Sequence, residues 1–339
     1  MPDLIRPPRL QPGATIAVVS PSWGGLGILE ARAPRGVAAL EDLGYRVEVM
    51  PNARGTTDGV RDWVSGTAAE RVDDLHAAFA DPDVGMVLSA IGGEHSAHML
   101  PLIDFDLIAA NPKPFCGYSD ITSLHYGIHA MTGMVTFYGP ALIPEFGEVG
   151  GPDVEVADHF RTVLGQAAAP GWLPAIDWQA TEDRRTSDAE QRPRTKHAGE
   201  PRTVLRGGTG TGPLLAGCLP SVRALVGTPW QPDYRGRVLA LEPPEAPYAP
   251  EDADADLTHL RNTGLLDDLA ALVIGRTDGW PADQVDTFHA LVRDAVSGTA
   301  YPVLGGVECG HSAPLLTLPL GVQATVSGTD LTIDEPAVQ

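Results

Sequence analysis

"PFCGYSDITSLHYGIHAMTGMVTFYGPAL", residues 114–142, decides the fold. A short apolar run ends at Gly117-Tyr118, and Ser119-Asp120 makes a polar turn. "ITSLHYGIHAMTG" then has the length of a helix and closes on a glycine, and "MVTFYGPAL" is a second apolar run. Strand, helix, strand in so short a span needs a crossover connection, so the two strands pair in parallel.

The pattern extends upstream. "TIAVVSPS" (15–22) reads as a buried strand ending in small polar residues. "ILEARAPRGVAALEDLG" (28–44) has helical periodicity despite Pro34 and closes on Gly44. The strand "YRVEVM", the amphipathic helix "AAERVDDLHAAFAD" (68–81) and the strand "VGMVLSAIGG" (84–93) follow. Alternation of this kind implies a mainly parallel sheet with helices on both faces.

Downstream the character changes. Residues 166–205 are rich in Pro, Ala and charge without a sustained period, as expected of a connection or a binding lid. A second unit starts near 206 with "RGGTGTGPLLAGCLPSVRALVGT". It passes through "GRVLALEP", a helix near 255–270 and "LAALVIGRT", and ends in alternating stretches that read as β hairpins. The expected organisation is residues 1–165, a connecting segment 166–205, and residues 206–339. A chain of 339 residues suits two units.

The net charge is −21, from 44 acids against 23 bases. That balance repels phosphate backbones and anionic lipid, so neither nucleic acid nor membrane is an expected partner. No run approaches a membrane span, and "MPDLIRPPRLQPG" lacks the apolar core of a signal peptide, which points to the cytoplasm. Cys116, Cys218 and Cys309 are widely spaced and read as buried reduced thiols.

Several motifs carry no chemistry. "RGGTGTGPL" lacks the Gly-Lys-Ser/Thr of a phosphate loop, and "IGGEHS" lacks the dinucleotide spacing. "DADAD" (252–256) fails the calcium pattern, because Leu257 and Thr263 stand where glycine and a bidentate acid belong, and it reads as an acidic first helical turn. His125 and His129, four apart on one helix face, lack a third ligand and read as packing or surface residues. No cofactor or metal is expected.

Ser119 is different. A strand-to-helix turn lifts a serine hydroxyl out of the sheet and sets backbone N–H groups where an oxyanion would form. An N-cap serine explains the stretch equally well. A nucleophile needs a base and an orienter. Two later stretches offer them. "GRVLALEPPE" delivers Glu242 at a strand end, and "VLGGVECGHSAPLLTLP" brings His311 after a glycine, before Pro314.

Together, "IGGEHSAHMLPLIDFDLIAANPKPFCGYSD", "GPLLAGCLPSVRALVGT", "LALEPPE" and "CGHSAPLLTLPLG" resemble the LD-carboxypeptidase family of serine peptidases. The closer likeness is to the branch containing the microcin C immunity protein, and it runs from about Leu10 to Gly321. The resemblance implies a flavodoxin-like N-terminal sheet and a smaller C-terminal swivelling β/α domain, with the active site between them, in a cytoplasmic homodimer. It places the nucleophile on Ser119, the acid on Glu242 and the base on His311. The oxyanion donors would be the Asp120 N–H and Gly92 or Gly93 of the "IGGE" turn, with Glu94 beside the substrate. Glu245 and Glu308 are alternative orienters. Asp120 is read as a helix-terminus residue that matters through its backbone.

The "IGGEHS" turn, in place of the murein branch's Gly-Gly-Tyr-Gly, favours the immunity branch, whose members carry a nucleobase-stacking tryptophan in the interdomain loop. Here that loop has Trp178 and no second tryptophan after "EDRR", and Pro243 follows Glu242 where many relatives have an acid. The expected substrate is a small peptidyl or aminoacyl amide, such as an aminoacyl-nucleotide, with Arg184 and Arg185 as candidate ligands for its anionic group. A murein tetrapeptide losing its terminal D-Ala is the alternative. In another class, a non-catalytic protein binding a small molecule or nucleotide also fits the scaffold.

Overall fold

The computed structural model describes residues 2–180 and 191–339. Its first sheet is built on five parallel strands, β1 (Thr15–Val19), β2 (Arg46–Val49), β3 (Val84–Ser89), β4 (Phe115–Gly117) and β5 (Phe137–Tyr138), in the order β2-β1-β3-β4-β5. This is the flavodoxin-like order, with a switch point between β1 and β3. Helices at Arg32–Asp42, Ala68–Ala80, Phe105–Ala110 and Thr122–Thr132 make the crossovers. Strands β1 and β3 are almost wholly buried, so they read as unbroken apolar runs.

The helical reading over 28–44 needs one correction. Two helices, Gly25–Ile28 and Arg32–Asp42, replace one. Pro34 thereby falls in the first turn of the second helix, where a missing N–H leaves no hydrogen bond unmade.

Among the described residues the second sheet holds eight strands, with β6 (Gly171–Trp172) and β9 (Thr203–Arg206) at its edges. Four parallel strands form its centre: β10 (Thr209–Cys218), β11 (Val238–Glu242), β12 (Ala271–Gly275) and β13 (Val303–Val307). The glycine-rich "TGTGPLLAGC" is therefore one strand. Its first half pairs antiparallel with β15 (Gln323–Ser327) and its second half parallel with β11. β15 and β16 (Asp330–Ile333) form the terminal hairpin. The expected helix near 255–270 runs instead from Pro250 to Asn262, with Glu251 and Asp252 in its first turn, so the "DADAD" acids do open a helix.

Two features bring the sheets together. β14 (Leu318–Pro319) leaves the second unit and adds an antiparallel edge to β5, opposite Tyr138 and Phe137. The small hairpin of β7 (Trp178–Ala180) and β8 (Lys196–Ala198) is bridged to the stretch after His311 by Ala180 and Ala313. Among the described residues no helix is long and apolar enough to cross a membrane.

Candidate active site

Ser119 follows β4 after the single residue Tyr118, at the start of a short 3-10 turn leading into the helix Thr122–Thr132. Its φ is 63°, and it is the only non-glycine residue with positive φ among those described. An L-residue in that region is strained, and such strain persists only where the surroundings impose it. The hydroxyl does not cap the helix. It lies 2.9 Å from His311 Nε2. Thr122 ties down the turn instead, donating to the Ser119 carbonyl at 2.6 Å and accepting the Cys218 N–H at 2.9 Å.

Glu242 ends β11, buried to 1% exposure. His311 Nδ1 lies 2.8 Å from its Oε2, and the Tyr138 hydroxyl donates to its Oε1 at 2.5 Å. The Cys218 thiol lies buried beside Glu242 in the strand register; burial and then Glu242 hold it well above its ordinary pKa. Gly310, at φ 103°, passes so close that a Cβ there would come within 2.4 Å of Glu242 Oε2. Only glycine lets the chain turn past the carboxylate and deliver the next residue, His311.

Burial by itself would lower the His311 pKa, but Glu242 and then Glu245 outweigh it and raise it to about 9. Glu245 reaches the ring from the solvent side, 3.1 Å from Nε2, the nitrogen that also faces Ser119. Tyr118 packs edge-on against the imidazole with ring centres 5.0 Å apart. The other proposed orienter, Glu308, is elsewhere, fully buried between Arg202 and Arg276 at 2.6 and 2.9 Å.

The "IGGE" turn meets Ser119 from the end of β3. A Cβ on Gly92 would sit 2.7 Å from Ser119 Cβ and 2.9 Å from its Oγ, so the missing side chain leaves that face of the Ser119 hydroxyl open. Gly93 and Glu94 are exposed beside it. The Asp120 carboxylate is more than a terminal charge: its Oδ2 accepts the Ser96 N–H at 2.7 Å, while the Ser96 hydroxyl donates to the Asp120 carbonyl at 2.7 Å. Both groups of Asp120 thus clamp the segment after the glycine turn onto the serine turn.

Trp178 stands apart from these groups, with its Nε1–H donating to Glu155 at 3.2 Å and the Lys196 ammonium 3.5 Å from the ring centre. Arg184 and Arg185 lie outside the described residues. His125 and His129 are buried packing residues bonded to the carbonyls of Gly117 and Met134, and burial lowers both to about 4. Among the described residues one set of metal-ligating types does converge: Cys218, Glu242 and His311 place ligand atoms within 4.8 Å of one another. The His311 and Glu242 atoms of this set are already hydrogen-bonded to each other. Sequence reasoning missed Tyr138 and Cys218. The available signal was a tyrosine inside an otherwise apolar strand, whose hydroxyl needs a buried partner.

Comparison with known proteins gives this geometry a family. The model of the LD-carboxypeptidase N-terminal domain matches residues 16–139, and that of the C-terminal domain matches residues 211–326. The chain is 31% identical over 318 residues to the microcin C7 self-immunity protein MccF of Escherichia coli, covering 93% of this chain and 90% of that one. It is 29% identical over 334 residues to the "Probable murein peptide carboxypeptidase" of Bacillus subtilis, covering 96% and 93%. The structure of MccF in complex with aspartyl sulfamoyl adenosine superposes with a TM-score of 0.88 at 28% identity, covering 99% of this chain and 100% of that one. The chain belongs to the LD-carboxypeptidase family, and its enzyme class is that of a serine-type carboxypeptidase or amide hydrolase.

Proposed function

We propose that this enzyme hydrolyses an amide bond in a small aminoacyl or peptidyl substrate of the aminoacyl-nucleotide kind, with Ser119 as nucleophile, His311 as base and Glu242 as orienter. The observation that carries it is one continuous hydrogen-bonded chain, Ser119 Oγ to His311 Nε2 and His311 Nδ1 to Glu242, starting at the residue with the left-handed backbone.

In the first step the Ser119 proton passes to His311 Nε2 as Oγ bonds to the substrate carbonyl carbon, and Glu242 stabilises the imidazolium. The oxyanion is received by the N–H of Asp120 and of the Gly92-Gly93 turn, each such donor being worth about 3 kcal/mol in a transition state. The carbon–nitrogen bond then breaks and His311 returns its proton to the leaving nitrogen. Water, deprotonated by the same imidazole, attacks the ester, and its proton ends on Ser119 as the acid leaves. The net reaction adds one water across the amide.

MccF, whose structure holds aspartyl sulfamoyl adenosine, supports the nucleotide-linked substrate. The Bacillus subtilis relative, by its name, keeps a murein peptide as the second reading, here a tetrapeptide losing its terminal D-Ala. The test offers both to the wild type and to Ser119→Ala, with products read by mass spectrometry. Release of the amino acid from the nucleotide, only with the native serine, is expected. Loss of D-Ala from the tetrapeptide alone selects the second reading, and turnover by Ser119→Ala removes the serine mechanism.

A further inference from the structure

Two hydrogen-bonded arms leave Ser119 and end on the same carboxylate. One is the chain through His311. The other begins at the Ser119 backbone N–H, which donates to the Tyr138 hydroxyl at 3.1 Å, and that hydroxyl in turn donates to Glu242 Oε1 at 2.5 Å. The two arms close a ring: Ser119, Tyr138, Glu242, His311 and back to Ser119. We propose that Tyr138 is a positioning residue of the reaction, holding the strained nucleophile backbone and the orienting carboxylate in one register through its hydroxyl. The inference rests on the serine mechanism above.

Several observations converge on it. Tyr138 is 1% exposed, and its neighbour in the β4–β5 register is Gly117, two residues before the nucleophile. Glu242 belongs to the other sheet, so the hydroxyl spans the junction between the sheets as well as the ring. Burial and then Glu242 hold the phenol far above its ordinary pKa, so it keeps the proton it donates. The direction of every bond follows. Glu242, as carboxylate, can only accept; Tyr138 therefore donates to it and is left an oxygen lone pair for the Ser119 N–H. That occupies the Ser119 N–H and leaves oxyanion binding to Asp120 and the glycine turn.

The ring also sets the strength of the base. A donor on Oε1 draws charge from the carboxylate and weakens its hold on the imidazolium. Removing the hydroxyl leaves the carboxylate holding the imidazolium more tightly, so His311 stays protonated to higher pH. A stronger donor does the reverse.

The experiment needs no knowledge of the substrate. A fluorescent fluorophosphonate is reacted with the protein across pH, and the labelling rate of Ser119 is measured. The variants are Tyr138→Phe, 3-fluorotyrosine placed at 138, and Ser119→Ala. The fluorinated phenol keeps the hydroxyl and makes it a better donor. Tyr138→Phe is expected to label about tenfold to a hundredfold more slowly, the range for losing a hydrogen bond to a charged group. Its acidic limb should move to higher pH, and that of the fluorotyrosine protein to lower pH. A hydroxyl that only supports the fold would lower thermal stability in Tyr138→Phe and leave both limbs where they are, overturning the proposal. Should Tyr138→Phe fail to fold, the fluorotyrosine protein decides by itself, since its limb either moves down or does not. Labelling of Ser119→Ala at the wild-type rate would overturn the serine mechanism itself, and the proposal with it.

Discussion

At the scale of the residue, the site turns on the charge state of one imidazole. The proposed attack requires His311 to be neutral, whereas Glu242 and Glu245 together outweigh burial and raise it to about 9 from an ordinary value near 6.5. The acidic limb of Ser119 labelling should therefore lie well above that of an isolated histidine. Glu245→Gln removes the second anion, so the limb should fall and labelling at pH 7 should speed up; an unmoved limb would show that Glu245 leaves the base unaffected. Stability moves in the opposite sense. A pKa raised in the folded state contributes stability that is complete below about 6.5 and is lost as pH rises through about 9. Gly310→Ala provides a steric test. Its Cβ would overlap Glu242, so labelling should drop by at least tenfold, and an active variant would mean that the carboxylate has room to move.

At the scale of the element, what was legible followed from local rules. The turn after β4 could be read because a strand running into a helix leaves few conformations for the residue between, and Glu242 because Pro243-Pro244 stops its strand at once. Tyr138 signalled only that a buried hydroxyl needs a partner, not which partner. In "TFYGP" an aromatic residue is simply a good strand former, and the partner that gives its hydroxyl a purpose is 104 residues away. β14 was hidden for a related reason, since a two-residue edge strand has no period to detect. The break in the 28–44 helix lies where Pro34 can mark a helix start as well as a kink. The helix Ala68–Ala80 allows a stability control away from the site. Thr67 and Glu70 form a capping box there. Thr67→Ala should cost about 1 kcal/mol, seen as a melting point lower by about 2 °C in calorimetry. Labelling should not change; a fall in the labelling rate would mean that this helix end reaches the site.

At the scale of the whole molecule, the site exists only because two sheets meet. Ser119 and the glycine turn come from carboxyl ends of strands in the first, at the edge of its switch point, while Glu242 and His311 come from the second. No stretch of sequence contains that juxtaposition, so the family resemblance, and not spacing, was what joined the three residues in advance. Net charge belongs to this scale too. A protein of charge −21 repels an anionic nucleotide substrate at long range. Raising salt from about 20 to about 200 mM shortens the Debye length, so kcat/KM for such a substrate should rise severalfold, with labelling by a neutral phosphonate unchanged. A fall with salt would mean that local cations steer the nucleotide. The central claim is tested most directly by intact-protein mass spectrometry during turnover of an aminoacyl sulfamoyl adenosine. An added mass of one aminoacyl group, mapped to Ser119 and absent in Ser119→Ala, is the expected result; turnover that continues in Ser119→Ala, or acylation at another residue, would contradict it.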